Sequence, residues 1–145
     1  MRGAAARRAL AATALGALSA ATLLAGCGGV EAPDLFIVQR SGNVPGAALT
    51  LLVNEEGGVA CNGGRTLKLS DPALVEARGI QEDLHEYASE HEALAPGPRS
   101  VFSYHLRDEN GTVRFSDDSP RQPKVFRRLA LFVLQTAQQV CHLPT

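Results

Sequence analysis

The stretch SVFSYHLRDENGTVRFSDD at residues 100–118 decides the fold, because it is the clearest β-hairpin signal in the chain. Apolar and polar side chains alternate from Phe102 to Arg107, as they do in a strand with one buried face. Asn110-Gly111 is a dipeptide typical of a type I′ turn, in which both central residues have positive φ. Val113 and Phe115 continue the apolar face after the turn. The stretch predicts an antiparallel hairpin with its apolar side chains in the core.

A helix is predicted on each side of this hairpin. Before it, Asp71 can cap a helix N-terminus and Pro72 suits the first helical position. After it, Pro123 opens a second helical segment that runs to the region of Cys141. Apolar residues recur in both segments at steps of three and four, which is the pattern of amphipathic helices. The predicted buried positions are Ala73, Ala77, Ile80, Leu84 and Tyr87 in the first helix and Phe126, Leu129, Ala130, Val133, Ala137 and Val140 in the second.

Three strands are predicted ahead of the first helix. Leu35–Arg40 is rich in β-branched and aromatic residues, and alternate residues of Leu49–Val53 share one apolar face. A third strand is expected over residues 59–70, with a turn or bulge at Asn62-Gly63-Gly64. The order β-β-β-α-β-β-α indicates a two-layer α+β domain, with an antiparallel sheet of about four or five strands and both helices on one face.

The N-terminus has the composition of an export signal. Three arginines among the first eight residues precede a charge-free apolar segment, residues 9–24. Leu24-Ala25-Gly26-Cys27 then resembles the lipobox of bacterial lipoproteins. That resemblance implies that residues 1–26 are removed and that the Cys27 sulfur carries a diacylglycerol, which anchors the protein on the outer face of the cell membrane. The alternative is an ordinary secretory signal, with Cys27 a free thiol.

The remainder of the chain is then organised as a tether and a domain. Residues 27–34 form the lipidated cysteine and a short tether, and residues 35–145 form a single domain. An exported protein meets oxidising conditions, under which thiols usually pair. Cys61 and Cys141 are therefore predicted to form a disulfide, and a zinc site built on these two cysteines alone lacks enough ligands.

The charge of the exported part argues against nucleic acid as a partner. The chain has 14 Lys+Arg and 15 Asp+Glu, and three of the arginines belong to the predicted signal. The remaining 11 cations and 15 anions give a net charge of −4 with histidine neutral. A nucleic-acid-binding domain normally carries a basic patch or stripe, which this sequence does not display.

Motifs for catalysis or metal binding are not evident. His85-Glu86 lacks the second histidine four residues later that a zinc protease helix needs, since the next histidine is His91. The chain has neither a Gly-x-Ser-x-Gly elbow nor a phosphate-binding glycine loop. Asp117-Asp118 is expected to end the hairpin in water. We therefore expect neither an enzyme nor a bound metal or cofactor; a hydrolase would need Ser, His and carboxylate groups converging in a pocket.

The loop after the first strand is the predicted contact surface for a partner. It mixes rigid and permissive residues, which suits a turn of fixed shape. As the simpler alternative, it only connects two strands. The candidate partner-binding residues are Arg40, Ser41, Gly42, Asn43, Val44, Pro45 and Gly46.

The domain resembles the emfourin family, small protein inhibitors of thermolysin-like metallopeptidases. The likeness spans residues 36–137 and rests on a first strand ending in Arg40-Ser41-Gly42, a central helix, the Phe102-Ser103-Tyr104 strand with its hairpin, and a closing helix. The family has Ser-Gly-Gly where this chain has Ser41-Gly42-Asn43, and it lacks the export signal and the cysteine pair. The chain is also similar to small lipoproteins of actinobacteria. These resemblances imply a membrane-anchored protein-binding module that inhibits a secreted peptidase; the alternative is a structural or envelope-interaction lipoprotein without inhibitory activity.

Overall fold

A six-stranded antiparallel sheet and two helices form the two layers of the fold. The computed structural model describes residues 32–143. The strands are β1 (Asp34–Gly42), β2 (Leu49–Asn54), β3 (Gly58–Cys61), β4 (Leu67–Lys68), β5 (Phe102–Arg107) and β6 (Thr112–Ser116), and the helices are α1 (Asp71–Ser89) and α2 (Lys124–Gln139). The sheet order is β4-β3-β2-β1-β5-β6, so β1 lies near the middle. The predicted α+β class is confirmed, with six strands instead of four or five.

The extra strand comes from the segment that was predicted as one interrupted strand. Asn62 and Gly63 have φ values of 52° and 69°, so the backbone turns back on itself after Cys61. The returning residues Leu67 and Lys68 then pair antiparallel with the start of β3. A run of turn-forming residues thus separates two strands of a hairpin instead of making a bulge inside one strand.

The β5–β6 hairpin forms as predicted, but its turn has a different geometry. Asn110 does not have the positive φ that a type I′ turn requires. Instead, the Asp108 carboxylate accepts hydrogen bonds from the backbone N–H groups of Asn110 and Gly111, at 2.8 and 2.9 Å. Gly111 is needed for a different reason: a Cβ there would lie 2.1 Å from the carbonyl oxygen of Ala88. The turn is therefore set by an aspartate and by contact with the end of α1.

The N-cap of helix α1 lies one residue earlier than predicted. Ser70, not Asp71, is the N-cap, and its hydroxyl accepts from the N–H of Ala73 at 3.4 Å. Asp71 lies in the first turn, where a carboxylate is favoured by the helix dipole. The helix then crosses the sheet. Just before it, the N–H of Leu69 donates to the carbonyl of Gly57 beside β3, and within it Gln81 donates to the Leu35 carbonyl of β1. The C-terminal end of α1 lies against the β5–β6 turn.

The core lies between the helices and one face of the sheet. Most of the predicted helix positions are buried, while Ala73, Tyr87, Ala130 and Val140 are half-buried at the margin of the core. Two aromatic contacts link the sheet to α2, Phe36 with Phe132 and Phe115 with Phe126, at ring-centroid distances of 6.0 and 4.8 Å. Two more lie within a layer, Tyr87 with Phe126 between the helices and Tyr104 with Phe115 between β5 and β6. The sulfur atoms of Cys61 and Cys141 are at bonding distance, as predicted, and the pair ties the end of β3 to the end of α2.

The outer edge of β6 is closed by the chain itself. The segment 92–94 runs beside β6, where Arg114 exchanges backbone hydrogen bonds of 2.9 Å with Glu92 and Leu94. The backbone N–H of Ser116 donates to the Ser119 hydroxyl, and its carbonyl accepts from the Gln122 amide, both at 2.8 Å. With these groups occupied, this edge offers little template for a further strand.

The opposite face of the sheet is less covered than the helix-bearing face. We call it the open face, and its side chains are exposed or half-buried. Its residues are Ile37, Gln39 and Ser41 of β1, Thr50 and Leu52 of β2, Ser103, His105 and Arg107 of β5, and Thr112 and Arg114 of β6.

Candidate functional site

Arg40, predicted to contact a partner, lies beneath the predicted loop instead. Its side chain is only 5% exposed, because β1 alternates and Arg40 follows Phe36 and Val38 on the core face. Its Nε donates to the carbonyl of Ala47 at 2.9 Å, and Nη2 donates to the carbonyl of Gly46 at 3.2 Å. The guanidinium also stacks on Phe102, with Cζ 4.9 Å from the ring centroid. Arg40 is therefore a positioning residue that holds the loop in shape.

The strand also extends further into the predicted loop than expected. Ser41 and Gly42 belong to β1 and pair with Ser103 and Phe102. A Cβ at Gly42 would lie 2.4 Å from the carbonyl oxygen of Val101, so only glycine permits this close pairing. The connection between β1 and β2 is thus residues 43–48, two residues shorter at its start than predicted.

The tip of this connection is exposed and internally bonded. Residues 43–46 are all exposed, and the N–H of Ala47 closes a turn onto the carbonyl of Val44 at 3.2 Å. Val44 is 42% exposed, which is unusual for a large apolar side chain in this domain. The loop is held by the hydrogen bond to the Val44 carbonyl and by the two hydrogen bonds from Arg40 to the carbonyls of Gly46 and Ala47. The loop thus presents an apolar side chain on a backbone of defined shape.

A second exposed valine lies at the same end of the sheet. Val101 precedes β5 directly beside Gly42 and is 41% exposed. Its N–H, and that of Phe102, donate to the Asp117 carboxylate at 3.0–3.3 Å, while the N–H of Arg99 donates to Asp118. We define the loop-end surface as residues 43–46 together with Val101.

The role of the two aspartates was missed at the sequence level. They were expected to end the hairpin in water, but they fasten the segment before β5 as well. The two aspartates directly follow β6, but the N–H groups that donate to them lie 15–19 residues earlier in the chain. These hydrogen bonds form only once the hairpin brings the two segments together. Arg99 adds an exposed ion pair with Asp118 at 3.6 Å.

The remaining sequence candidates are separated in the structure. His85 is an exposed residue of α1, and His91 lies beyond the end of that helix, with a φ of 55°. Within residues 32–143, no group of three or more His, Cys, Asp and Glu side chains could hold a metal ion. In the same part of the chain, neither helix has the length and apolarity needed to cross a membrane. The predicted signal peptide and Cys27 lie outside the described residues.

We expect Arg40→Met to lower the free energy of unfolding by about 1–3 kcal/mol, because the carbonyls of Gly46 and Ala47 would lose their donor. Urea denaturation followed by circular dichroism measures this change. Arg99→Met is the matched control, since an exposed ion pair contributes only about 0–1 kcal/mol. Equal effects of the two substitutions would show that Arg40 does not support the loop.

Comparison with known proteins gave no assignment of this chain. Scans against protein-family models, curated proteins and solved structures found no match.

Proposed function

We propose that this protein is a lipoprotein anchored on the outer face of the cell membrane, and that it binds another protein through the loop-end surface. The observation that carries the binding proposal is the loop 43–48, whose exposed tip is held by the buried Arg40. A contact loop that is already in its bound shape loses little conformational entropy on association.

The path of β1 separates the tether from the loop-end surface. The chain enters the strand at Asp34 and leaves it at Gly42, after nine residues. At a rise of ~3.3 Å per residue, the two ends of the strand are roughly 27 Å apart. A lipid on Cys27 would therefore hold the domain by the end opposite the loop. This arrangement favours a partner that approaches from outside the cell over one embedded in the same membrane.

Inhibition of a thermolysin-like metallopeptidase is the specific form of this proposal. It is supported by the resemblance to emfourins and by an element order that matches the expected one except for one additional strand before α1. An exposed, fixed loop is a suitable element for insertion into a peptidase cleft. The departure at Asn43, where the family has glycine, places a side chain at the start of that loop.

The test measures peptidase inhibition by the lipidated protein in detergent micelles. We expect slow hydrolysis of a peptide substrate by a thermolysin-like enzyme, and Val44→Asp should weaken inhibition at least tenfold. Val75→Asp is the matched control, because Val75 is 68% exposed on α1 and lies outside the loop-end surface. Equal weakening by both substitutions would rule out the loop as the contact. If the protein without substitutions slows no thermolysin-like enzyme, the inhibitor proposal is wrong and an envelope-interaction role is favoured.

The anchoring proposal has its own prediction. Cys27→Ser should abolish incorporation of labelled fatty acid and move the protein from the membrane fraction to the medium, or leave an uncleaved precursor. Cys61→Ser is the control, because it removes a thiol without touching the lipobox. Lipid label that persists in the Cys27→Ser protein would overturn the assignment of the anchor.

A further inference from the structure

A groove lies on the open face between β1, β5 and β6 and the segment that carries Leu94 and Pro96. Its volume is about 360 Å³, near the lower end of the range for small-molecule sites. Leu94 and Pro96 form an apolar wall on one side, and the polar side chains of Gln39, Ser103, His105 and Arg114 line the rest. The Ser103 and Ser116 hydroxyls lie 3.0 Å apart at the same place and bond to each other. The groove thus combines an apolar wall with a polar floor.

The charges on this face differ in sign from those of the domain. The predicted exported part of the chain has a net charge of −4, yet the β5 and β6 positions of the open face carry Arg107 and Arg114 and no carboxylate. Among residues 32–143, neither arginine forms an ion pair with a carboxylate. In contrast, Arg128 between the helices is paired with both Glu76 and Asp83. Strands β5 and β6 therefore present two cations on the open face that form no ion pair among the described residues.

His105 lies at the centre of this arrangement. Its neighbours across the strands are Gln39 on β1 and Arg114 on β6. Its Nε2 atom is buried and has no hydrogen-bond partner among the described residues. Burial lowers the pKa of the ring, and Arg114 and Arg107 lower it further. A buried nitrogen without a partner is uncommon in folded proteins.

We propose that this groove binds a small organic anion that carries one carboxylate next to an apolar group. The carboxylate would lie against Arg114, whose guanidinium can donate two parallel hydrogen bonds, and would give the imidazole of His105 a counter-charge. Because the Ser103 and Ser116 hydroxyls bond to each other, one of them keeps a proton that it can donate to the same anion. The apolar part of the ligand would lie against Leu94 and Pro96. The groove shares no lining residue with the loop-end surface, and the proposed ligand does not depend on a peptidase.

The experiment titrates the lipidated protein in detergent micelles with phenylacetate, observed by nuclear magnetic resonance. We expect shifts of the His105 and Arg114 signals and an upward move of the His105 pKa, because an adjacent anion favours the charged ring. The charged groups that face the ring are Arg107 and Arg114, while Gln39, Leu94 and Pro96 contribute no charge. Phenylacetamide, the neutral counterpart, should bind at least tenfold more weakly.

Three variants and one further probe separate the possible outcomes. Arg114→Gln should weaken phenylacetate binding at least tenfold, Arg114→Lys should retain part of it, and the exposed Arg99→Gln should leave it unchanged. Inorganic phosphate, an anion without an apolar group, tests the role of Leu94 and Pro96. If phosphate bound as tightly as phenylacetate, the proposed ligand class would be wrong. No shift at 50 mM phenylacetate, or equal binding of the amide, would overturn the site.

Discussion

Replacing Phe126 with alanine is expected to lower the free energy of unfolding by about 3–5 kcal/mol, the usual cost of deleting a buried aromatic ring. The Phe126 side chain is fully buried, and its ring lies 5.3 Å from that of Tyr87 and 4.8 Å from that of Phe115. It therefore joins α2 to α1 and to β6 at one point. Its removal would leave a cavity between three elements that cannot all move inward together.

Chemical denaturation in guanidinium chloride, with the disulfide intact, measures the Phe126→Ala effect. Leu131→Ala on the same helix is the matched control, because Leu131 is 53% exposed and should cost under about 1 kcal/mol. A loss below about 1 kcal/mol for Phe126→Ala would mean that α2 presents a different face to the sheet.

The double substitution of Cys61 and Cys141 by serine is expected to cost about 2–4.5 kcal/mol. The bond closes a loop with a sequence separation of 80 residues, and so restricts the unfolded chain strongly. For a domain of this size, the loss corresponds to a drop in Tm of roughly 10–20 °C. Differential scanning calorimetry of the oxidised protein and the double variant measures it.

Chemical reduction provides the control for the disulfide prediction. The unmodified protein treated with reductant should unfold at the same temperature as the double variant, because both lack the cross-link. An unchanged Tm in the double variant would show that the pair does not form in solution. A lower Tm of the variant than of the reduced protein would indicate that the serine hydroxyls, and not the missing bond, are responsible.

The parts of the fold with a regular period could be predicted from sequence. Alternation in the β5–β6 hairpin and the three- and four-residue steps of both helices follow directly from burial of one face. The hairpin turn was assigned incorrectly because Asn-Gly is only a preference, and Asp108 supplied a competing set of hydrogen bonds. Similarly, Ser70 and Asp71 are both good caps, and local sequence does not rank one above the other.

The candidate sites were harder to predict because they depend on contacts between distant residues. Alternation through Phe36 and Val38 places Arg40 on the core face, so its burial could have been inferred. Its bonds to the loop and its stacking on Phe102 depend on the pairing of β1 with β5, which the sequence does not specify. The groove beside β6 was not foreseen, because its apolar wall comes from an irregular segment without periodicity.

The position of β1 has a mechanical consequence. If a partner grips residues 43–46 while the N-terminal lipid holds the chain before Asp34, tension is carried along the nine covalently joined residues of that single strand. Hydrogen bonds to β2 and β5 lie across this line of pull and are not what transmits the load. The other strands and the helices therefore carry little of this force, and it does not pull them away from β1. A domain held at these two points would resist a pulling force from a large partner without unfolding.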